Sequence, residues 1–360
     1  MTITLHHRSS GMALIIVLLV MIVLGVLAGR FAYSMKVETA LARKAVFHPD
    51  LEWMGRNGVQ LACYILGQGS VGIEASYDAL NQKWAGGTGT NTILADIPMD
   101  NFQMGNGSFS LKIIDLDRKF NINVADPIIL QGALELVGID PEFIPTISDS
   151  IQDWRDTDDH NRLSGAETSD YMSNPNIGFS SYGAKNGPID DITELLLIRG
   201  VTSAMFWGSS GGGSDSPLPR PRQLSQSRFE EPVYYTGLVS LFTPLSSRLV
   251  NINTASATAL QVIPQIDENI AAAIITARAG PDGSEGNEDD TPFRSPQEIA
   301  YRVPGFNPQI AAQISQYFTV RSLIFEVHVT AEAGGNTREF IAIVRRNDPR
   351  NVQILSFYWR

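Results

Sequence analysis

The chain has 360 residues, 43% hydrophobic and 18% charged, which is enough for two or three compact units and too apolar for gross disorder. A formal net charge of -11 argues against a general surface for nucleic acid or anionic lipid. The single cysteine, Cys63, excludes an internal disulfide, and its default reading is a buried free thiol in the helical stretch 58–66.

From Gly11 to Ala28 no side chain ionises until Arg30 is reached. About 20 apolar residues cross a ~30 Å hydrocarbon core as a helix. Met12 to Ala28 lies at the short end of that range, and Phe31 to Tyr33 extend it, which gives a transmembrane half over 12–33. The small-residue site of a removable secretory signal is missing after the apolar run. Good helix formers instead continue through Lys36, Glu38 and Leu41 to Arg43, so one long helix over 12–66 is expected, with Pro49 marking a kink or a break. A simple signal anchor would share these features.

The short leader ending in Gly, then an apolar and an amphipathic half-helix, resembles the N-terminus of type IV pilins and pseudopilins. That resemblance implies cleavage by a prepilin peptidase between Gly11 and Met12, methylation of the new terminus, and assembly through helix packing. It also places Ile16 at the fifth mature residue, where the class usually carries Glu. A carboxylate there costs several kcal/mol in the bilayer unless it is paired, and in a pilus its partner is a neighbour's terminal amine. A tip subunit has no use for it.

Residues 67–119 read as loop followed by a strand over Gly107 to Leu116, in which Phe109, Leu111 and Ile113 alternate with polar residues. The chain then repeats itself. Phe120-Asn-Ile-Asn-Val-Ala125 recurs as Val250-Asn-Ile-Asn-Thr-Ala255, and each copy precedes a helical run, a turn, a second helix and an acidic loop. In each, a proline is followed six residues on by Glu194 or Glu298, and a glycine turn closes the unit at Gly200 or Gly305. These landmarks predict two helical modules, 120–207 and 233–317, joined by a Gly/Ser/Pro-rich linker over 208–232. Asn123 and Asn253 are expected as helix N-caps or as turn residues just ahead of them, and Glu194 and Glu298 as cap-binding or solvated. Alternating residues over 318–360 predict three further strands. The fold class is α+β: a pilin-like fold, with a long N-terminal helix on an antiparallel sheet, carrying a large inserted helical domain of two helix-hairpin-helix-like modules.

With Asn121-Ile-Asn123, Asp153-Trp-Arg-Asp156, Gly165-Ala-Glu167 and Glu194-Leu-Leu-Leu-Ile-Arg-Gly200 in this order behind the leader, nearly the whole chain resembles the general secretion pathway protein K family. The family implies a minor pseudopilin at the tip of the type II secretion pseudopilus, with other minor pseudopilins and the prepilin peptidase as partners. It further implies a single-pass inner-membrane protein with its bulk in the periplasm, no enzyme activity, and calcium in the insertion. The lack of a disulfide and the length of the linker depart from the family pattern.

Calcium takes six to eight oxygens, from positions 1, 3, 5, 7, 9 and 12 of an EF-hand loop. Counted from Asp156, position 3 is Asp158 and position 12 is Glu167, but position 5 is His160 and position 6 is not Gly, so the loop is no EF-hand. Asp156, Asp158, Asp159, Asn161 and Glu167 are the first candidate ligand set, with Arg155 and Arg162 as alternative counter-charges and a solvated acidic loop as the plain reading. Asp282, Glu288, Asp289 and Asp290 form the second, at the matching place in the other module. A rival function comes from the turns at Gly138 and Gln265, which suggest a membrane-anchored helix-hairpin-helix protein gripping DNA in a competence or type IV pilus system. Gln265 and Asp267 stand where such a hairpin usually has Gly, and acidic loops repel phosphate. Five scattered histidines and a helical Cys63 offer no nucleophile–base pair.

Overall fold

The computed structural model describes residues 10–69, 73–89, 92–173, 182–208, 236–306, 308–348 and 351–360. Most of the expected leader, 1–9, and of the expected linker, 209–232, lies outside the described residues. Helix α1 (Ser10–Gln68) has 59 residues and is about 88 Å long at 1.5 Å per residue. It runs through Pro49 without ending, so the break expected there is corrected. Proline removes one hydrogen bond from the ladder, and the burial of Leu51 and Met54 just beyond it holds the next turn in place.

After α2 (Thr92–Ala95) come β1 (Phe102–Met104) and β2 (Gly107–Asp115). The insertion over 116–323 follows. It holds β3 (Phe120–Asn121), α3 (Pro127–Val137), α4 (Ile144–Arg155), α5 (Thr168–Ser173), α6 (Ser203–Trp207), α7 (Leu238–Leu241) and β4 (Phe242–Thr243). It continues with β5 (Val250–Asn251), α8 (Ala257–Gln261), α9 (Glu268–Arg278), α10 (Ile299–Arg302), α11 (Pro308–Ile314) and β6 (Phe318–Thr319). The chain then returns to the first sheet with β7 (Ile324–Ala333), β8 (Asn336–Asp348) and β9 (Asn351–Trp359). The sheet order is β1-β2-β7-β8-β9, antiparallel throughout.

Alternate residues of the sheet face α1, as period-two burial requires. Phe109, Leu111 and Ile113 of β2 pack there with Phe325, Val327 and Val329 of β7 and Phe340, Ala342 and Val344 of β8. Two glycines let the helix approach closely. A Cβ on Gly58 would lie 2.5 Å from Val329 Cγ1, and one on Gly55 would lie 2.5 Å from the Phe340 ring. Helix and sheet therefore form a complete pilin-like unit, although its β2 and β7 are separated by the whole insertion.

The two modules repeat in atomic detail. Parallel pairing of β3 with β4 closes the first, and of β5 with β6 the second. Residues 238–243 thus belong in space to the first module, a correction to the boundary expected at 233. Asn121 and Asn251 each accept from the backbone N–H two residues on. Asn123 exchanges two hydrogen bonds with the Ile189 backbone, and Asn253 does the same with Phe293. These asparagines are turn residues; the N-caps are Asp126 and Ser256, three residues further on. Arg155 donates to the carbonyls of Ile122 and Ala125, and Arg278 to those of Ile252 and Ala255. Each arginine thereby staples its second helix to the opening motif. A single continuous apolar core runs through both modules.

A buried polar hub ties the insertion to the sheet. Asp115, at the end of β2, accepts from Ser322 Oγ at 2.6 Å and Thr254 Oγ1 at 2.5 Å. Asn251 donates to Ser322 Oγ at 2.7 Å, Asp117 accepts from Leu323 N at 2.6 Å, and Arg346 on β8 pairs with Asp78. Burial, followed by the neighbouring Asp117 charge, pushes the Asp115 carboxyl up to about 7.

Candidate functional site

Two parts of the described chain bear on the expected role: the exposed half of α1 and the acidic loop after α4. The first is apolar, and among the described residues nothing covers it. An 18-residue window in Met12–Gln68 has a mean hydropathy of 3.1, and none of it is buried. Met12, Leu14, Ile16 and Leu18 stand free in succession, as do Met21 and Leu24. By length and composition this helix can cross a membrane. Ile16 is exposed within it, and no carboxylate occurs between Met12 and Lys36.

The loop after α4 brings together Asp156, Asp158 and Glu167, with one ligand oxygen from each inside a 4.8 Å span. Among the described residues no other group of His, Cys, Asp or Glu side chains converges in this way. Glu167 is 1% exposed, and neither of its carboxylate oxygens has a hydrogen-bond partner; Asp156 Oδ1 is buried and unpartnered too. An unpaired buried carboxylate is expensive. Burial, then the charges of Asp153, Asp156 and Asp159, push the Glu167 carboxyl up to about 7. Asn186 Oδ1 is a further buried, unpartnered oxygen, while its Nδ2 donates to Asp159 at 3.3 Å.

Of the two expected counter-charges, Arg162 serves and Arg155 does not. Arg162 Nη1 pairs with Asp153 at 3.0 Å and Asp156 at 2.5 Å, whereas Arg155 is spent on backbone carbonyls. Asn161 donates to Asp170 at 2.6 Å instead of turning to Glu167. The ring of His160 caps Asp158 at 3.1 Å and is 92% exposed. Buried Asp153 is a site residue that the loop reading missed, because it lies inside α4; the crowding of Gly165, whose Cβ would meet its carboxylate, is its trace in the sequence. The converging donors are hard oxygens from carboxylates and an amide, with no thiolate or imidazole nitrogen among them. That set fits calcium and does not fit zinc.

The second loop does not gather its carboxylates. Asp282 accepts from Ser284 N at 2.7 Å and Asn287 Nδ2 at 2.8 Å, and Asp289 accepts from Asp282 N at 3.2 Å. Asp290 accepts from Gly286 N at 2.8 Å with its other oxygen unpartnered, and Glu288 is exposed. Glu194 accepts from the backbone N–H groups of Asp190 and Asp191 in a capping box and pairs with Lys185 at 2.8 Å, so its role is structural. Glu298 pairs with Arg302 at 3.1 Å.

At the second hairpin Gln265 takes the left-handed conformation, φ 71°, that Gly138 takes at φ 91° in the first. Asp267 caps α9 by accepting from Ile270 N at 2.8 Å. A carboxylate therefore fills the place where a helix N-terminus would receive a phosphate, which disfavours the DNA-binding alternative.

A long helix on an antiparallel sheet, with a helical insertion between β2 and β7, defines the class of pilin-like subunits. Residues 111–207 match the first domain of the family described as type II secretion system (T2SS), protein K. Type II secretion system protein K of Klebsiella pneumoniae is 24% identical over 215 residues, 56% of this chain and 61% of the relative. The Pseudomonas aeruginosa protein of the same description is 24% identical over 303 residues, 80% of this chain and 77% of that one. The crystal structure of the GspK-GspI-GspJ complex of the enterotoxigenic Escherichia coli type 2 secretion system contains a chain that superposes with a TM-score of 0.62. That superposition has 15% identity and covers 89% of this chain and 99% of the other. The chain is thus similar to protein K of type II secretion systems, with the family match falling on residues 111–207 and the shared fold extending over 89% of the chain.

Proposed function

We propose that the chain is a minor pseudopilin that initiates or caps the tip of a type II secretion pseudopilus. One observation carries this reading: a complete pilin-like helix and sheet whose strands β2 and β7 are parted by the bulky insertion 116–323. Such a subunit keeps the helix needed to join a bundle while carrying mass that regular stacking leaves no room for. The apolar Ile16 fits the same role, since it makes no demand for a neighbour's amine within the bilayer. The partners are other minor pseudopilins, as in the complex with the related fold, met through α1 and the pilin-like domain. The apolar half of α1 anchors the chain in the inner membrane with the bulk on the periplasmic side. The role is assembly and not catalysis.

Processing of the precursor tests the reading. In a host with an active prepilin peptidase the mature chain begins at Met12, as measured by intact-mass and N-terminal peptide spectrometry, and a bulky residue in place of Gly11 leaves the precursor uncut. A mature start beyond Ala28, or an uncut native chain in that host, contradicts it.

Calcium belongs to the same reading. Asp156, Asp158 and Glu167 would hold it, with Asp159 and the Asn186 amide oxygen beside them, and its charge would satisfy the carboxylate oxygens now unpartnered. It would supply structural cohesion to a chain without disulfides.

A further inference from the structure

The outer face of the five-stranded sheet, opposite α1, carries an ion cluster with no part in the role above. His328 on β7 lies opposite Lys112 on β2 and Ile341 on β8. Its Nε2 is 2.6 Å from Glu326 Oε1 and its Nδ1 is 2.9 Å from Glu339 Oε1. A neutral imidazole has one N–H and one lone pair, so one of these contacts would set a lone pair against a carboxylate. Only the imidazolium donates to both. Glu339 in turn accepts from Arg360 Nε at 2.7 Å, and its carbonyl accepts from the Arg360 backbone N–H at 3.1 Å. The chain of charges Glu326–His328–Glu339–Arg360 thus crosses from β7 through β8 to the residue that follows β9.

Other charged groups surround this cluster, and Arg118, Lys119, Asp190 and Asp191 line the cleft beside Glu326 and Arg360. Lys112 approaches from β2 and opposes a charged ring, Tyr358 approaches from β9 on the Glu326 side, and Asp191 of the first module acts on Tyr358 from across the cleft. Burial disfavours the charged imidazole, but the hydrogen bonds and charges of Glu326 and Glu339 outweigh it, so the net shift is upward. The His328 side chain is 11% exposed and that of Glu326 12%, so solvent screens the pair only weakly.

We propose that His328 is a proton-operated latch on β9: charged, it ties the Glu339–Arg360 pair at the end of that strand to Glu326 on β7, and on losing its proton it gives up that tie while the Glu339–Arg360 pair remains, so that the end of β9 is less firmly held. What the latch controls is defined by position. β9 is an edge strand with Leu355, Tyr358 and Trp359 exposed. Its end also forms one wall of a cleft of about 560 Å³ between the sheet and the first module, lined by Glu326, Ile343, Tyr358, Arg360, Phe242 and Pro244. Arg338, which also contacts His48 Nδ1 at 2.8 Å, lies over the Trp359 ring at 4.5 Å and holds the opposite face, so release is a local loosening and not loss of the strand. The sign follows from the upward shift. The contribution is complete below the ordinary histidine value of about 6.5 and is lost as pH rises through the higher folded value.

The test uses the full chain in detergent, labelled with [15N]histidine. The five histidines are resolved by the loss of one signal in His328→Gln, and exchange of the 351–360 peptides is followed by mass spectrometry against pH. The wild type is expected to show both His328 nitrogens protonated at neutral pH and a titration midpoint above about 6.5. β9 exchange, corrected for intrinsic chemistry, should accelerate through that same midpoint by roughly tenfold per unit of upward shift. Glu326→Gln should lower the midpoint, and His328→Gln should remove the step. A midpoint at or below about 6.5, or corrected exchange of β9 with no step at the histidine midpoint, overturns the latch. Because the wild type alone decides both points, a variant that fails to fold does not shelter the proposal.

Discussion

At the scale of single residues, Glu167 is the side chain most out of balance. It is enclosed, lacks any hydrogen-bond partner, and shares its corner with Asp153, Asp156 and Asp159. A cation bound only by the folded state stabilises by mass action, about 2.7 kcal/mol at 100 times its dissociation constant. Calcium is therefore expected to raise the melting midpoint of the full chain in detergent, by several degrees at ~2–4 °C per kcal/mol. Glu167→Gln should lose most of that gain, and Asp282→Asn should keep it. The reverse pattern would place the ion in the second loop, and no gain in the wild type would leave the first loop without a cation. The spacing of Asp156, Asp158 and Glu167 was readable, because positions along one loop are set locally. The partners were not: Asp153 reaches the cluster from inside α4, and Asn186 arrives from a separate stretch of chain.

At the scale of elements, the repeat was visible as a run of landmarks, but its chemistry was hidden. Arg155 looked like a counter-charge for the neighbouring aspartates, yet its guanidinium closes the module by holding Ile122 and Ala125. Nothing near it in sequence announces those carbonyls, which lie some thirty residues upstream. Arg278 does the same work at 4% exposure and also pairs with Glu285. Replacing it strands two buried carbonyls, each costing about 1–3 kcal/mol. Arg278→Met is expected to destabilise the chain by about 2–4 kcal/mol, measured by chemical denaturation, and Arg155→Met by less because that arginine is only partly buried. Equal effects would show that the two staples are not graded by burial. The strands of the main sheet were easier to read, since one face packs on α1 and imposes strict alternation on Phe109, Leu111 and Ile113. The helix does not break at Pro49 because packing beyond it outweighs one missing hydrogen bond.

For the whole molecule, the question is how an insertion longer than the sheet that carries it is held in one orientation. The hub around Asp115 joins the loop after α1, β2, the second module and β8, segments that sequence alone does not bring together. Its carboxyl lies at about 7 rather than near the ordinary value of about 3.9. A carboxyl raised in this way favours the protonated fold. Its stabilisation is full below about 3.9 and lost as pH rises through about 7, at roughly 1.4 kcal/mol per unit. Stability should fall between about pH 4 and pH 7 in the wild type, and Asp115→Asn should reduce that slope, the rest belonging to Glu167, whose carboxyl is raised to about 7 as well, while leaving the response to calcium intact. An unchanged slope in the variant would place the pH dependence elsewhere.

Whether the chain ends a filament or repeats along it can be seen directly. Cys63 is half-buried, and burial raises its thiol to about 11, so a cysteine introduced at exposed Gln313 can be labelled selectively. Gold-labelled Gln313→Cys chains would be assembled with their companion pseudopilins and imaged by electron microscopy. A capping or initiating subunit gives one label, at one end of each filament. Labels at regular intervals along the length would contradict the tip role.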